Sequence, residues 1–212
     1  MSVYRGKLGE TVASPLITVV DDATLAQKYG SYQYDDEGQK AQRNVLIRNG
    51  VLEQYMYDLH TAWQEGTTST ANGRRESYRV KPVTRMSNTM ILPGKDKKED
   101  IIQSVSHGLL VTKMGGGQVN SITGDYVFDV AEGYLIENGE ISYAVKGATL
   151  AGNGPESLRQ VEMVADDLGF AIGTCGKSGQ SAPVSDAQPT MKINGLVVGG
   201  TAADTDFTIQ RK

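Results

Sequence analysis

The stretch "GTCGKSGQ", Gly173 to Gln180, carries the only cysteine of the 212-residue chain, with a glycine on either side and a lysine two residues on. A thiol kept for packing belongs in an apolar run, because neutral cysteine behaves as a small hydrophobe. Cys175 instead has Thr174 and Gly176 as neighbours, which predicts a flexible, exposed turn. Two kinds of chemistry fit a thiol there. It is an idle surface group, or it is a thiolate ligand for zinc close to the positive charge of Lys177. One cysteine without partners is not a metal motif, so spacing alone leaves both open.

Other candidates are weaker. "GKS", Gly176 to Ser178, resembles the end of a phosphate loop. That motif needs a glycine where Ala171 stands and a helix after the serine, but "GQSAP" follows, which sets nucleotide binding aside. "MGGGQVNS", Met114 to Ser121, has three consecutive glycines. Bare backbone lets another chain approach closely. The stretch reads as a turn leaving a strand or, more sharply, as a place where an extended peptide lies against Gly115, Gly116, Gly117 and Gln118. The two histidines, His60 and His107, stand in no His-Glu-x-x-His or similar spacing. His107 reads as the end of a helix, where a positive side chain favours the helix dipole, and His60 as part of a strand-like run. A Cys175–His nucleophile pair is formally available, but nothing specifies which histidine would serve.

The elements that must position these groups are mostly strands. Asn-Gly pairs stand at Asn49-Gly50, Asn138-Gly139 and Asn194-Gly195, each between β-like runs. Asn-Gly tolerates positive φ at both central positions of a tight hairpin turn. Further strands are expected over Leu16–Val20, Met86–Leu92, Leu109–Lys113, Tyr126–Val130 and Phe170–Thr174. Two helices are expected. The first runs from about Lys97 to His107, with Asp96 as cap, Glu99 at the capping-box spacing and Gly108 as stop. The second runs from Pro155 to Leu168, with Val161, Met163 and Val164 in its apolar stripe. The fold class is α+β, with a β-rich antiparallel sheet or barrel-like core, hairpins and two principal helices, in a single domain over 1–212.

A chain of this size buries enough surface to need no disulfide, and one cysteine fits a reducing, cytoplasmic setting. The net charge of -4 argues against nucleic acid as a direct partner. The most basic stretch, "NGRRESYRVKPVTR" from Asn72 to Arg85, reads as a solvated or ion-paired face, with an anion or peptide-carboxylate site as the alternative. No run approaches a membrane span, and the N-terminus carries no signal peptide.

Taken as a whole, the chain resembles the C-terminal domain of the TldD/PmbA peptidases, a family also called modulator of DNA gyrase. The matching stretches include "VVDDATLAQKYGSYQYDDEG", "ANGRRESYRVKPVTRMSNTMILPG", "MGGGQV", "AEGYLIENGEI", "VKGATLAGNGPESL", "GTCGKSGQSAPVSDAQPT" and "LVVGGT", from about Val19 to Thr201. "GTCGK" resembles the TldD branch. The resemblance implies a zinc-dependent metallopeptidase acting on unfolded or modified peptides held through backbone contacts in an enclosed cavity. Its zinc ligands would be two histidines of a His-Glu-x-x-x-His helix together with Cys175, and the Glu would be the general base. It also implies pairing with a second copy or with a related, metal-free subunit. The His-Glu-x-x-x-His helix is absent from this sequence. The N-terminal domain and most of the metal site are therefore expected to lie outside it, with no catalytic residue within 1–212. Zinc would be bound in full-length context and not by this chain alone. The alternative is a non-catalytic binding or assembly module similar to the metal-free subunit.

Overall fold

Two of the three Asn-Gly pairs do what their backbone preference predicts. In the computed structural model, which describes residues 2–200, Asn49 and Gly50 have φ of 47° and 83°, and Asn138 and Gly139 have 53° and 80°. Each pair closes a two-residue hairpin, the first between β2 (Arg43–Arg48) and β3 (Val51–Leu52). Ahead of them in sequence is β1 (Val19–Asp22), and after them come β4 (Gly73–Arg74), β5 (Val83–Thr84) and β6 (Asn88–Ile91). The second hairpin joins β8 (Asp125–Glu137) to β9 (Glu140–Val145); β7 (His107–Val119) precedes it and β10 (Ala148–Asn153) follows. The remaining strands are β11 (Val161–Val164), β12 (Gly169–Lys177), β13 (Gln180–Gln188), β14 (Met191–Ile193) and β15 (Val197–Gly200).

Contacts divide the chain into two compact units. Of the described residues, one unit comprises 4–101 and 158–194, the other 2–3, 102–157 and 195–200. In the first, a six-stranded sheet runs β12-β13-β6-β1-β2-β3, antiparallel except where β13 meets β6. Val12, Ala13, Ile17, Ile47, Leu52, Val161 and Val164 form its main buried apolar cluster. In the second, the sheet runs β15-β10-β8-β7, with β9 also paired to β8. The class is α+β, as expected. Among the described residues the sheets are open and none closes into a barrel. Thr201, the last residue of the family-like stretches, lies outside the described residues.

The described residues contain three short helices, not two long ones. The run expected as strand-like around His60 is instead a helix, α1 (Leu59–Glu65). Asp58 caps it, accepting from Thr61 N at 2.6 Å, and Gly66 ends it in the left-handed conformation at φ 65°. Next comes α2 (Lys98–Gln103), which stops well short of His107. The Val105 and Ser106 carbonyls accept from Gly139 N and Asn138 N of the β8–β9 turn, so they are committed outside the helix. His107 therefore opens β7, opposite Glu137, and no helix dipole acts on it. The last, α3 (Gly154–Arg159), stops where β11 begins, and Val161–Val164 pair with β14 instead of continuing the helix. Asn194-Gly195 makes no hairpin, because β14 pairs with β11 and β15 with β10.

The Asp58 cap gives a pH-dependent prediction. Burial alone would raise this carboxyl, but hydrogen bonds from Thr61 and Thr84 outweigh burial and hold it below the ordinary carboxylate range. A lowered folded-state value stabilises the fold above the unfolded value of about 3.9, and that contribution is lost as pH falls through the folded value. Asp58→Ala should cost about 1 kcal/mol at pH 7. In urea titrations the gap to the parent should narrow below pH 4; an equal gap at pH 7 and pH 3 would contradict the capping account.

Candidate functional site

The two-residue turn at Ser178-Gly179, with φ of 54° and 70°, closes the longest regular hairpin of the first unit, β12 to β13. Here lies the "GKS" run. Its lysine ends a strand and its serine enters a hairpin turn, so it forms no phosphate loop. Cys175 sits inside β12, opposite Ala182, and is half-buried. The expected exposed turn is thus a strand, with the turn three residues later.

What the sulfur meets is Arg85, from a segment 90 residues earlier. Arg85 Nε donates to Cys175 Sγ at 3.3 Å. Arg85 Nη2 donates to the Cys175 carbonyl and, at 3.2 Å, to that of Gln180. Lys177 Nζ donates to the Thr84 carbonyl at 2.9 Å, so the lysine ties the hairpin end to the same segment. Arg74 Nη1 donates to the carbonyls of Met86 and Pro183 at 2.8 and 2.7 Å.

The basic stretch is the solvated or ion-paired face its composition predicts at Arg79 and Lys81, which are exposed, and at Arg75, which lies 3.9 Å from Asp36, but not at Arg74 and Arg85. Arg85 is 1% exposed and Arg74 is 7%. Among the described residues neither forms an ion pair; both guanidiniums are bound by carbonyl oxygens, and Arg85 also by sulfur. Desolvation lowers the Arg74 pKa. Composition does not reveal this, because the acceptors are main-chain atoms supplied by the hairpin.

Arg85 is held from behind by a buried polar network. Its N–H donates to the Asn72 carbonyl at 2.8 Å, and Asn72 Nδ2 donates back to the Arg85 carbonyl at 2.9 Å. Asn72 Nδ2 also reaches Asp21 Oδ2 at 2.8 Å. Asp21, fully buried, accepts as well from Ser87 N, Ser87 Oγ and Thr89 Oγ1. A buried carboxylate without a cation is tolerable only when its lone pairs are taken in this way.

As to metal binding, Cys175 is a soft sulfur donor of the kind zinc takes. Its Arg85 N–H contact matches the outer hydrogen bonds that orient metal ligands. The described residues contain no cluster of three or more His, Cys, Asp or Glu side chains able to hold a metal. His60, the second residue of α1, is exposed, as is His107, which belongs to the other unit. The residues fit zinc as one ligand of a shell completed elsewhere, not as a whole site.

The glycine run lies in the second unit and is also a strand, not a turn. Gly115, Gly116 and Gly117 fall inside β7, at the edge of its sheet, where the register to β8 slips between Met114 and Gly117. A Cβ on Gly117 would lie 2.2 Å from the Phe128 ring, whereas one on Gly116 would meet nothing within 4 Å. An open groove of about 710 Å³ runs along Gly116, Gly117 and Gln118, with Tyr126 and Asp129 of β8 in its lining.

Comparison with known proteins agrees with the resemblance. The profile of the PmbA/TldA metallopeptidase C-terminal domain matches residues 1–200. A metalloprotease TldD homolog of Haemophilus influenzae is 49% identical over 202 residues, covering 94% of this chain and 42% of the relative. The chain thus spans less than half the length of that relative. A Thermotoga maritima protein described as a modulator of a DNA gyrase superposes with a TM-score of 0.78 at 28% identity, over 93% of this chain and 42% of that one. TldE from Thermococcus kodakarensis gives 0.77 at 29%, over 93% and 43%.

Proposed function

Because this chain belongs to the PmbA/TldA metallopeptidase family, as its C-terminal domain, we propose that it supplies one thiolate ligand, Cys175, to a peptidase zinc site whose other ligands lie outside these residues. The single observation that supports this is the setting of the only cysteine, half-buried on a paired strand with its sulfur held by a buried guanidinium. An idle surface thiol needs no such partner.

In this reading the zinc, when bound, polarises water and the scissile carbonyl. The chain's own residues hold the sulfur and shape the substrate path. The β12–β13 ladder fixes the Cys175 backbone, and Lys177 and Arg85 tie the hairpin end down. Gly115, Gly116, Gly117 and Gln118 offer strand-edge backbone and an open groove, so an unfolded peptide can be bound through its main chain with little demand on sequence. Pairing with a related subunit belongs to the same proposal, supported by the likeness to TldE. That likeness also favours the second reading, a metal-free assembly module, to which Cys175 would be irrelevant.

Zinc analysis separates the two. The chain by itself, dialysed gently, should hold well under a full equivalent of zinc. Joined to an N-terminal part bearing the His-Glu-x-x-x-His helix, it should hold a full equivalent, and Cys175→Ala should strip most of that on the same dialysis. Unchanged zinc in Cys175→Ala would overturn the ligand assignment in favour of the assembly module. A full equivalent on the chain alone would show that other ligands lie within 1–212, with His60 and His107 as the first candidates.

A further inference from the structure

We propose that Arg85 is the positioning residue of the Cys175 sulfur: its guanidinium selects one side-chain rotamer of the cysteine and holds it in the absence of any metal. The inference deepens the reading of Cys175 as a ligand and rests on it only for its functional consequence.

The geometry distinguishes this from ordinary packing. The planar fork of an arginine matches two acceptors at once. Here the Nε edge meets Sγ at 3.3 Å while Nη2 meets the carbonyl of the same residue and that of Gln180. The side chain and main chain of Cys175 are therefore gripped together, which fixes the torsion between them.

Energetics points the same way. Burying a guanidinium without a carboxylate costs free energy that an apolar side chain of similar volume would avoid. In addition, Arg85 Nη1 is buried with no hydrogen-bond partner among the described residues. The hairpin does not require this arrangement, since nine register pairs and a two-residue turn already hold it. An apolar replacement would lose the donor on sulfur together with those on the Cys175 and Gln180 carbonyls, and with them the joint grip on side chain and main chain. Behind Arg85, the reciprocal bonds to Asn72, themselves anchored on Asp21, keep the fork from drifting.

The test uses the single cysteine. Carbon-13 labelling at cysteine Cβ gives one signal in this chain, and its Hα–Hβ couplings read the rotamer directly. The wild-type chain, metal-free and reduced, should show the couplings of a single rotamer, one large and one small or both small, and not averaged intermediate values. Arg85→Lys should show averaged couplings, because an ammonium cannot serve sulfur and both carbonyls in one plane, and Arg85→Met likewise. Averaged couplings in the wild type would overturn the proposal without any variant. Single-rotamer couplings retained in Arg85→Lys, with the β12–β13 amide signals in place, would overturn it too. The readout involves no zinc, so it stands apart from the ligand assignment. If Cys175→Ala keeps its zinc, only the ligand assignment fails; if the couplings ignore Arg85, only the positioning role fails. Where both hold, Arg85→Lys should weaken zinc affinity by about tenfold in the zinc-bearing protein, the lower end of the effect of such outer partners.

Discussion

Replacing Asp21 by alanine should cost about 4 kcal/mol of folding stability, a large share of the 5–15 kcal/mol that holds a typical domain. The carboxylate accepts four hydrogen bonds, all between 2.7 and 2.8 Å. Removing it strands donors that have no water to turn to. Asn72 Nδ2 keeps its bond to the Arg85 carbonyl, and hydroxyls can rotate. The Ser87 N–H cannot, because it is fixed in the main chain. Asp21→Asn keeps one acceptor oxygen but sets an NH₂ against donors, and should cost about half as much. Urea midpoints followed by circular dichroism test the order parent, then Asn, then Ala. A drop below about 1 kcal/mol for Asp21→Ala would mean that the network carries little of the stability. The loss should also reach the site, because Asp21 anchors Asn72, which is hydrogen-bonded to Arg85, and Ser87, which stands two residues beyond it.

The parts of this architecture legible in the sequence are those fixed locally. Asn49-Gly50 and Asn138-Gly139 dictate their turns through backbone preference, and the strands around them follow. Ser178-Gly179 acts in the same way, but the likeness of its surroundings to a phosphate loop obscures it in sequence. Val161 and Val164 show the opposite case. Their three-residue spacing suits a helix stripe, yet both bury into the first unit's core from a strand, with Met191–Ile193 as partner. Local periodicity does not encode that partner. α1 carried a readable signal, Asp58 three residues before Thr61 with Gly66 at the end, which the strand-like run before it masked. At the candidate site, the type and neighbours of Cys175 mark it out in sequence. Its guanidinium partner is 90 residues away, and nothing in "NGRRESYRVKPVTR" distinguishes the buried Arg74 and Arg85 from the half-buried Arg75, which lies 3.9 Å from Asp36.

Gly30→Ala should be nearly as damaging, at about 3 kcal/mol, for a purely spatial reason. Gly30 does not adopt a left-handed conformation, so an alanine backbone is permitted there. Its Cβ, however, would lie 2.2 Å from the Ser87 carbonyl oxygen and 2.7 Å from Asn88 Oδ1. Ser87 has nowhere to retreat, since its N–H and hydroxyl are held by Asp21 and its carbonyl accepts from Ser185 N at 3.1 Å. Asn88 is similarly held, donating to the Asp22 carbonyl at 2.6 Å and accepting from Gly30 N. Gly38 is the natural control: at φ 78° with nothing within 4 Å of an added Cβ, Gly38→Ala should cost only the left-handed strain, about 1 kcal/mol. Equal urea midpoints for the two alanine variants would show that the Ser87 segment yields more easily than its hydrogen bonds suggest. Gly30→Ala should also broaden the Cys175 Cβ signal, because Ser87 is two residues from Arg85 and a displaced Ser87 moves the fork that grips the sulfur. Gly38→Ala should leave that signal unchanged.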